Sequence, residues 1–293
     1  MEKLPGMEIP REFWPGPENS GGSLPGFLSE NPCRLWRLSS DPKWLFFVVI
    51  MPGPVGWACL IGPLPDQISL SFGPTCNDIW TEALLWLGER GCPVVQFLGD
   101  IPGTPQTVSI HPPIAVNPAF RPVTDFYDLF FIKNTGRETL PPIAGFTWQP
   151  SVAGDCREIA LKTMVGSLDC PELAHYRSDH CAWDSLIQIH GPQKTCWILH
   201  GGKTPAGILL GHIPEQGFAT SQRSGEISYF GLAPEFRGKH LGSGMLSHFL
   251  SKWVPEGASM VTMVDSMNVP AFKTYQRVGF EKSRTSRLFL AKT

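Results

Sequence analysis

Arg237-Gly238-Lys239-His240-Leu241-Gly242-Ser243-Gly244 lies between a strand pattern and an amphipathic helix, and its reading decides the fold. Upstream, Glu226-Ile-Ser-Tyr-Phe-Gly-Leu-Ala-Pro234 is β-branched and aromatic at its centre and is closed by a proline. Downstream, Met245, Leu246, Phe249, Leu250 and Trp253 fall on one helical face, and Pro255 marks the stop. A strand, a short glycine-bearing basic loop and a helix form an anion site, because loop N–H groups and the first helical turn point at one spot. Arg237 and Lys239 add positive charge, and Gly242 allows close backbone approach. The spacing is neither that of a Walker loop nor that of a dinucleotide fold. Taken alone, the eight residues are also readable as a plain turn into a helix.

A second stretch narrows the choice: Asn268-Val-Pro-Ala-Phe-Lys-Thr-Tyr275-Gln-Arg-Val-Gly279-Phe280. Together the two resemble the GNAT superfamily of N-acetyltransferases, with [RQ]-x-x-G-x-[GA] on the pyrophosphate loop and N-x-x-A-x-x-x-Y-x-x-x-G-F after it. The second motif matches at every defined position. The first departs once, with His240 where the family usually has glycine, and histidine tolerates positive φ better than a β-branched residue does.

At 293 residues the chain suits two domains. Apolar content of 42% is enough for ordinary cores, and a net charge of −2 gives no electrostatic reason to expect nucleic acid or an anionic membrane as partner. The N-terminus has no signal-peptide h-region, and the apolar run at 45–51 is far too short to span a bilayer. The eight cysteines form no C-x-x-C pair and read as reduced thiols. A cytoplasmic protein is expected, a monomer with an internal pseudo-dimer, and the resemblance implies a small-molecule or peptide amine as its partner. No metal is expected, since His175, Asp179 and His180 do not make a ligand cluster.

Residues 1–29, rich in Pro, Gly, Ser and Glu, read as an arm. From 30 to 135 come strands at 44–51 and 55–61, a helix at 77–90 with Ile79, Ala83, Leu84 and Leu87 inward, and strands at 94–98 and 123–133. Phe120, Leu129 and Phe130 repeat the offsets of Phe280, Phe289 and Leu290, which suggests a diverged tandem copy; an unrelated α+β domain is the other reading. The first half has no Arg/Lys loop before its helix and carries Asp66 and Asp78 there, so it reads as cofactor-blind. Residues 136–145 form the expected linker, and 146–293 the expected catalytic domain: a strand, helices at 153–165 and 183–190, a hairpin through 200–203, the strand–loop–helix, a strand, the Tyr275 helix and a closing pair of strands. The fold class expected is α/β (α+β), two tandem GNAT-like domains, each a mixed, mostly antiparallel sheet flanked by helices.

The resemblance implies acetyl transfer from acetyl-CoA to a primary amine, by direct attack in a ternary complex. It implies that the cofactor strand splays near its end, exposing the backbone of Phe230, Gly231, Leu232 and Ala233 to the pantetheine arm. Arg237, Gly238, Lys239, His240, Leu241, Gly242 and Ser243 would then hold the pyrophosphate. By the same resemblance Tyr275 lies beside the cofactor sulfur as general acid, although a core tyrosine fits its spacing too. Asn268 is either a pure helix cap or a pantetheine contact. Glu226 is either the base for the amine, directly or through water, or an exposed strand-entry glutamate, with Tyr229 near the same cleft. Ser167, Asp169 and Glu172 sit where the family's helix 1–helix 2 loop borders the acceptor, and the two carboxylates suit a cationic one. A CoA-binding sensor without catalysis, and transfer of a longer acyl chain, are the competing functions.

Overall fold

The computed structural model describes residues 31–37, 45–53, 55–61, 75–100, 119–133, 143–190, 195–213 and 224–293. The expected arm, most of the expected linker, and Asp66 with its surroundings lie outside the described residues. The chain divides into two compact units, Met1–Val123 with Arg287–Thr293, and Thr124–Ser286.

The first unit opens with β1 (Cys33–Arg37), β2 (Leu45–Met51) and β3 (Val55–Ile61), an antiparallel meander. Helix α1 (Thr75–Gly88) then crosses over, so that β4 (Val94–Asp100) returns parallel to β3. A crossover of this length is what parallel pairing requires. Trp80, Ala83 and Leu87 recur at helical spacing and face the sheet, where Trp80 stands edge-on to Phe46, Phe97 and Phe120 at 4.6, 5.5 and 4.5 Å between ring centres. Gly91, at φ 71°, ends the helix.

The second unit begins inside β5 (Arg121–Ile132) and continues with β6 (Phe146–Val152), a one-turn 3-10 helix (Ala153–Cys156), α2 (Arg157–Met164) and α3 (Asp179–His190). Next come β7 (Thr195–Gly201), β8 (Thr204–His212), β9 (Ser224–Leu232), α4 (Leu241–Trp253), β10 (Ser259–Asp265), α5 (Val269–Val278) and the first half of β11 (Glu281–Lys292). Its sheet runs β11-β5-β10-β9-β8-β7-β6; from β5 to β6 the neighbours pair antiparallel except where β9 meets β10. One face packs on α4 and α5 through Met245, Leu246, Phe249, Leu250, Tyr275 and Val278; the other packs on α2 and α3 through Ile159, Ala160, Met164 and Trp183.

Two expectations change. The closing pair of strands is one strand, β11, because 281–292 contain no Gly, Pro or Asn to turn the chain. The strand expected to finish the first domain instead serves the second unit: β5 pairs antiparallel with β10 from Ile132↔Ser259 to Phe126↔Asp265. Helix α5 carries the chain away from β10, which leaves that edge open for β5. In exchange, the second half of β11 belongs to the first unit, where it neighbours β4 and buries Ala291 in the Trp80 core. The units therefore do not divide at 135 and 146. Among the described residues no helix is long and apolar enough to cross a membrane.

Candidate functional site

The site is built where β9 and β10 part. Their parallel register holds for four pairs, Ser224↔Ser259 to Ile227↔Thr262, and is not continued by 228–232 or 263–265. A bulge deforms β9 at the same level: β8 pairs Gly211 with Ile227 and Leu210 with Tyr229, so Ser228 is the extra residue. One inserted residue reverses which side chains face which side of a sheet. Ile227 accordingly packs toward α4 and α5, whereas Tyr229 turns to the α2/α3 face, where its hydroxyl meets Thr163 Oγ1 at 3.0 Å. The bulge is held tight, since a Cβ on Gly211 would come within 2.3 Å of the Glu226 carbonyl oxygen, and one on Gly207 within 2.7 Å of that of Gly231.

Beyond the fork, Pro234–Phe236 form one 3-10 turn and the loop leads into α4. Gly238 (φ 69°) and His240 (φ 58°) both adopt the left-handed region, so the histidine does stand where positive φ is required. No side chain caps α4, whose first-turn N–H groups therefore face outward with the positive end of the helix dipole. Lys239 lies exposed nearby, its Nζ 5.8 Å above the Phe236 ring. The Arg237 guanidinium is engaged within the protein. Its Nε donates to Leu232 O at 2.8 Å, Nη1 to Val165 O at 2.7 Å and Nη2 to Thr163 O at 2.5 Å. The guanidinium thus clamps the end of β9 to the carboxyl end of α2, whose terminal carbonyls suit a cation. Gly242 sits close to Thr274, 3.3 Å from where its Cβ would be.

Tyr275 is 5% exposed and packs edge-on against Phe280. Burial drives its hydroxyl well above the usual value for a tyrosine, against a smaller opposite effect of the hydrogen bond with Thr262. Thr262, the last paired residue of β10, donates to Ile227 O at 2.9 Å, so Tyr275 is seated at the fork. Burial likewise pushes Tyr229 up to about 12. Glu226 pairs with Val261 and His212, one step below the fork, and accepts a hydrogen bond from Ser228 Oγ at 2.9 Å. Alternation from Ile227 places Glu226 on the α2/α3 face, opposite Tyr275. Phe230 packs against Trp148, while Ala233 is buried and donates to Ala206 O.

The loop between α2 and α3 is tied to the top of β10. Asp265, fully buried, accepts from Cys170 N (2.7 Å), Thr124 Oγ1 (2.6 Å) and Met267 N (2.8 Å). Cys170 itself is held at φ 41°. Asn268 caps α5 by accepting from Ala271 N at 3.2 Å, and its Nδ2 donates to Asp169 Oδ1 at 2.8 Å. Ser167 Oγ donates to the other Asp169 oxygen at 3.1 Å. Both Asp169 oxygens are thereby engaged within the protein, while Glu172 is half-buried. The Asp169 charge still acts on both Tyr229 and Tyr275, raising each further. Sequence reading missed Asp265. Its signal was an Asx turn at a strand end, with carboxylate and N–H two residues apart. Among the described residues no group of three or more His, Cys, Asp or Glu stands ready to hold a metal.

The site thus combines a forked parallel pair, an uncapped helix start beyond it and a tyrosine seated at the fork. Residues 161–280 match the acetyltransferase (GNAT) family. Over 86 residues the chain is 36% identical to a mycothiol acetyltransferase from Corynebacterium aurimucosum; the match spans 29% of this chain and 28% of that protein. Among solved structures, a tandem GNAT protein from the clavulanic acid biosynthesis pathway aligns with a TM-score of 0.54 at 12% identity, over 89% of this chain and 83% of its own. A GCN5-related N-acetyltransferase from Kribbella flavida gives 0.52 at 10% identity, over 93% of both chains. The fold is that of a tandem GNAT protein.

Proposed function

We propose that the second unit transfers an acetyl group from acetyl-CoA to a primary amine, by direct attack in a ternary complex. The observation that carries this reading is the fork: the β9–β10 ladder stops at Ile227 and Thr262, and the uncapped start of α4 lies just beyond. The residues fit the cofactor. First-turn N–H groups of α4, the Gly238–His240 backbone and Lys239 suit a diphosphate, and the unpaired edge of 228–232 suits an amide-bearing arm. When bound, acetyl-CoA would supply the thioester.

The chain must then remove a proton from the amine, donate hydrogen bonds where negative charge gathers, and return a proton to the departing sulfur. Glu226, oriented by Ser228, is the proton acceptor in this proposal, directly or through water. Tyr275 is the donor. With its proton held so firmly by burial, it would serve as a hydrogen-bond donor to the departing sulfur, which would keep the proton only once both groups share the same dry surroundings.

Thiol release from acetyl-CoA against an amine panel, with mass spectrometry of the products, tests the proposal. Release coupled to a mass gain of one acetyl group on an amine is expected. The enclosure of Tyr275 also favours one other reading, a CoA-binding protein in which the tyrosine only packs. Tight cofactor binding with no release on any amine or with any acyl chain would establish that reading instead.

A further inference from the structure

The strongest unassigned group in the second unit is Arg177, on the segment joining the acceptor-side loop to α3. A ladder of backbone bonds fixes its place relative to the fork. Asp265 holds Cys170 N, Cys170 O accepts from Leu173 N at 3.0 Å, and Leu173 O accepts from Tyr176 N at 2.9 Å and Arg177 N at 3.1 Å. Arg177 thus sits two short turns from the end of β10. The unit's neighbouring cations are committed: Arg237 to three carbonyls, Arg157 to Asp184 and Lys162 to Glu235. Arg177 is different. It is half-buried, yet among the described residues its guanidinium has no hydrogen-bond or ion-pair partner.

Burial lowers the affinity of Arg177 for its proton, and the groups that act on it electrostatically are the thiols of Cys170 and Cys181. The Cys170 thiol is itself pushed up to about 11 by burial, so near neutral pH it carries no charge to offset the arginine. Half-buried arginines are ordinarily paired, because a charge drawn partly out of water gains from a partner of opposite sign. The carboxylates that might have served, Asp169 and Asp265, are turned into the loop's own hydrogen bonds. The same loop and the turn bonded to it expose apolar side chains, with Val165 56%, Leu168 49% and Met267 65% exposed.

We infer that Arg177 binds a carboxylate on the acyl acceptor, and that the acceptor is an α-amino acid, or a compound ending like one, with an apolar side chain. This rests on the acetyl-transfer reading for the identity of the amine, but not for the existence of the anion subsite. It also reverses the expected polarity of the acceptor loop, from cation-binding to anion-binding. A guanidinium meets a carboxylate through two parallel N–H···O bonds, which lysine does not reproduce.

Three matched amines test it on the full chain with acetyl-CoA: L-leucine, L-leucinamide and isoamylamine, which lacks the carboxylate altogether. The expected kcat/KM for leucine exceeds that for the other two by at least about 100-fold, as for a site built around a buried charged partner. R177Q should raise KM for leucine about 10- to 100-fold with kcat nearly unchanged, leave isoamylamine unaffected and leave cofactor affinity unaltered; R177K should fall between. Equal use of the three amines, or equal losses on all three in R177Q, would overturn the subsite. If no amine is acetylated, calorimetry of N-acetyl-L-leucine against its amide, with the chain saturated in CoA, decides separately. Carboxylate preference lost in R177Q would keep the subsite and discard the reaction, whereas no preference would discard the subsite.

Discussion

The two units share a device and differ in how they deform it. In the first, β3 and β4 run parallel for four pairs, Val55↔Val94 to Ala58↔Phe97, and the register goes no further although both strands do. In the second, β9 and β10 do the same. Among the described residues each pair is bridged by one α-helix. Yet β3 lies in unbroken register on β2 from Val55↔Met51 to Ile61↔Leu45, while β9 carries the Ser228 bulge and two glycine-gated approaches. Helix α1 has Asp78 in its first turn; α4 has no acid there. A parting strand pair is therefore a property of the fold. The second unit adds the bulge, the uncapped helix start and the tyrosine at the fork, on which the proposed chemistry rests.

Breaking the exchange of strands gives the largest effect expected. A chain cut near residue 139 parts β5 from β10 and the second half of β11 from β4, so neither fragment should give a cooperative thermal transition alone. A monomeric, active C-terminal fragment would show that β5 is dispensable. Next, Gly242→Glu puts a carboxylate at the α4 start and should weaken acetyl-CoA binding by at least about 100-fold, whereas Asp78→Lys in the first unit should leave affinity and a stoichiometry of one unaltered. Calorimetry showing two equivalents per chain would erase the contrast. Tyr275→Phe should lower turnover about 10²- to 10⁴-fold with cofactor affinity little changed, the usual size of a lost proton donor. Wild-type turnover in that variant would return Tyr275 to packing.

The glycines sharpen the contrast further. Gly211→Ala drives a Cβ into backbone 2.3 Å away and should cost about 3 kcal/mol or more in urea unfolding. Gly56→Ala meets side chains of Leu87 and Val95 at 3.1 Å, which yield more easily, and should cost about 1–2 kcal/mol. The smallest expected effect is one the units share. Burial pushes Cys92 in the first and Cys170 in the second up to about 11. Above about pH 9 the unfolded thiols lose protons that the folded ones keep, so the unfolded state binds fewer and stability falls as pH rises, levelling off past about 11. Denaturation midpoints between pH 8 and 11 should fall less steeply in Cys92→Ala and in Cys170→Ala than in the parent chain. Equal slopes in all three would mean that neither thiol is buried as described.

The sequence carried what is local. The α4 face of Met245, Leu246, Phe249 and Leu250, the Asn268 cap and the left-handed His240 all follow from spacing and backbone preference within a few residues. What it did not carry is pairwise and distant. Nothing in 121–132 says that Tyr127 will lie against Val264 rather than against its own half of the chain. Arg237 reads as a phosphate ligand until three carbonyls from β9 and α2 surround it. Asp169 reads as a free acid until Asn268, 99 positions on, takes one of its oxygens.

The divided last strand has a consequence for biosynthesis. The second unit finds β5 already made when β10 leaves the ribosome, so its sheet is completed almost as soon as α5 and 281–286 follow. The first unit has no such fortune. Its β4 edge waits for residues 287–292 while the whole of Thr124–Ser286 is translated, roughly ten seconds or more at ordinary elongation rates. During that interval a β-rich edge beside an aromatic core stands open to other nascent chains. The older half of the molecule is the last to be finished, and its yield in the cell depends on whatever shields β4 until then.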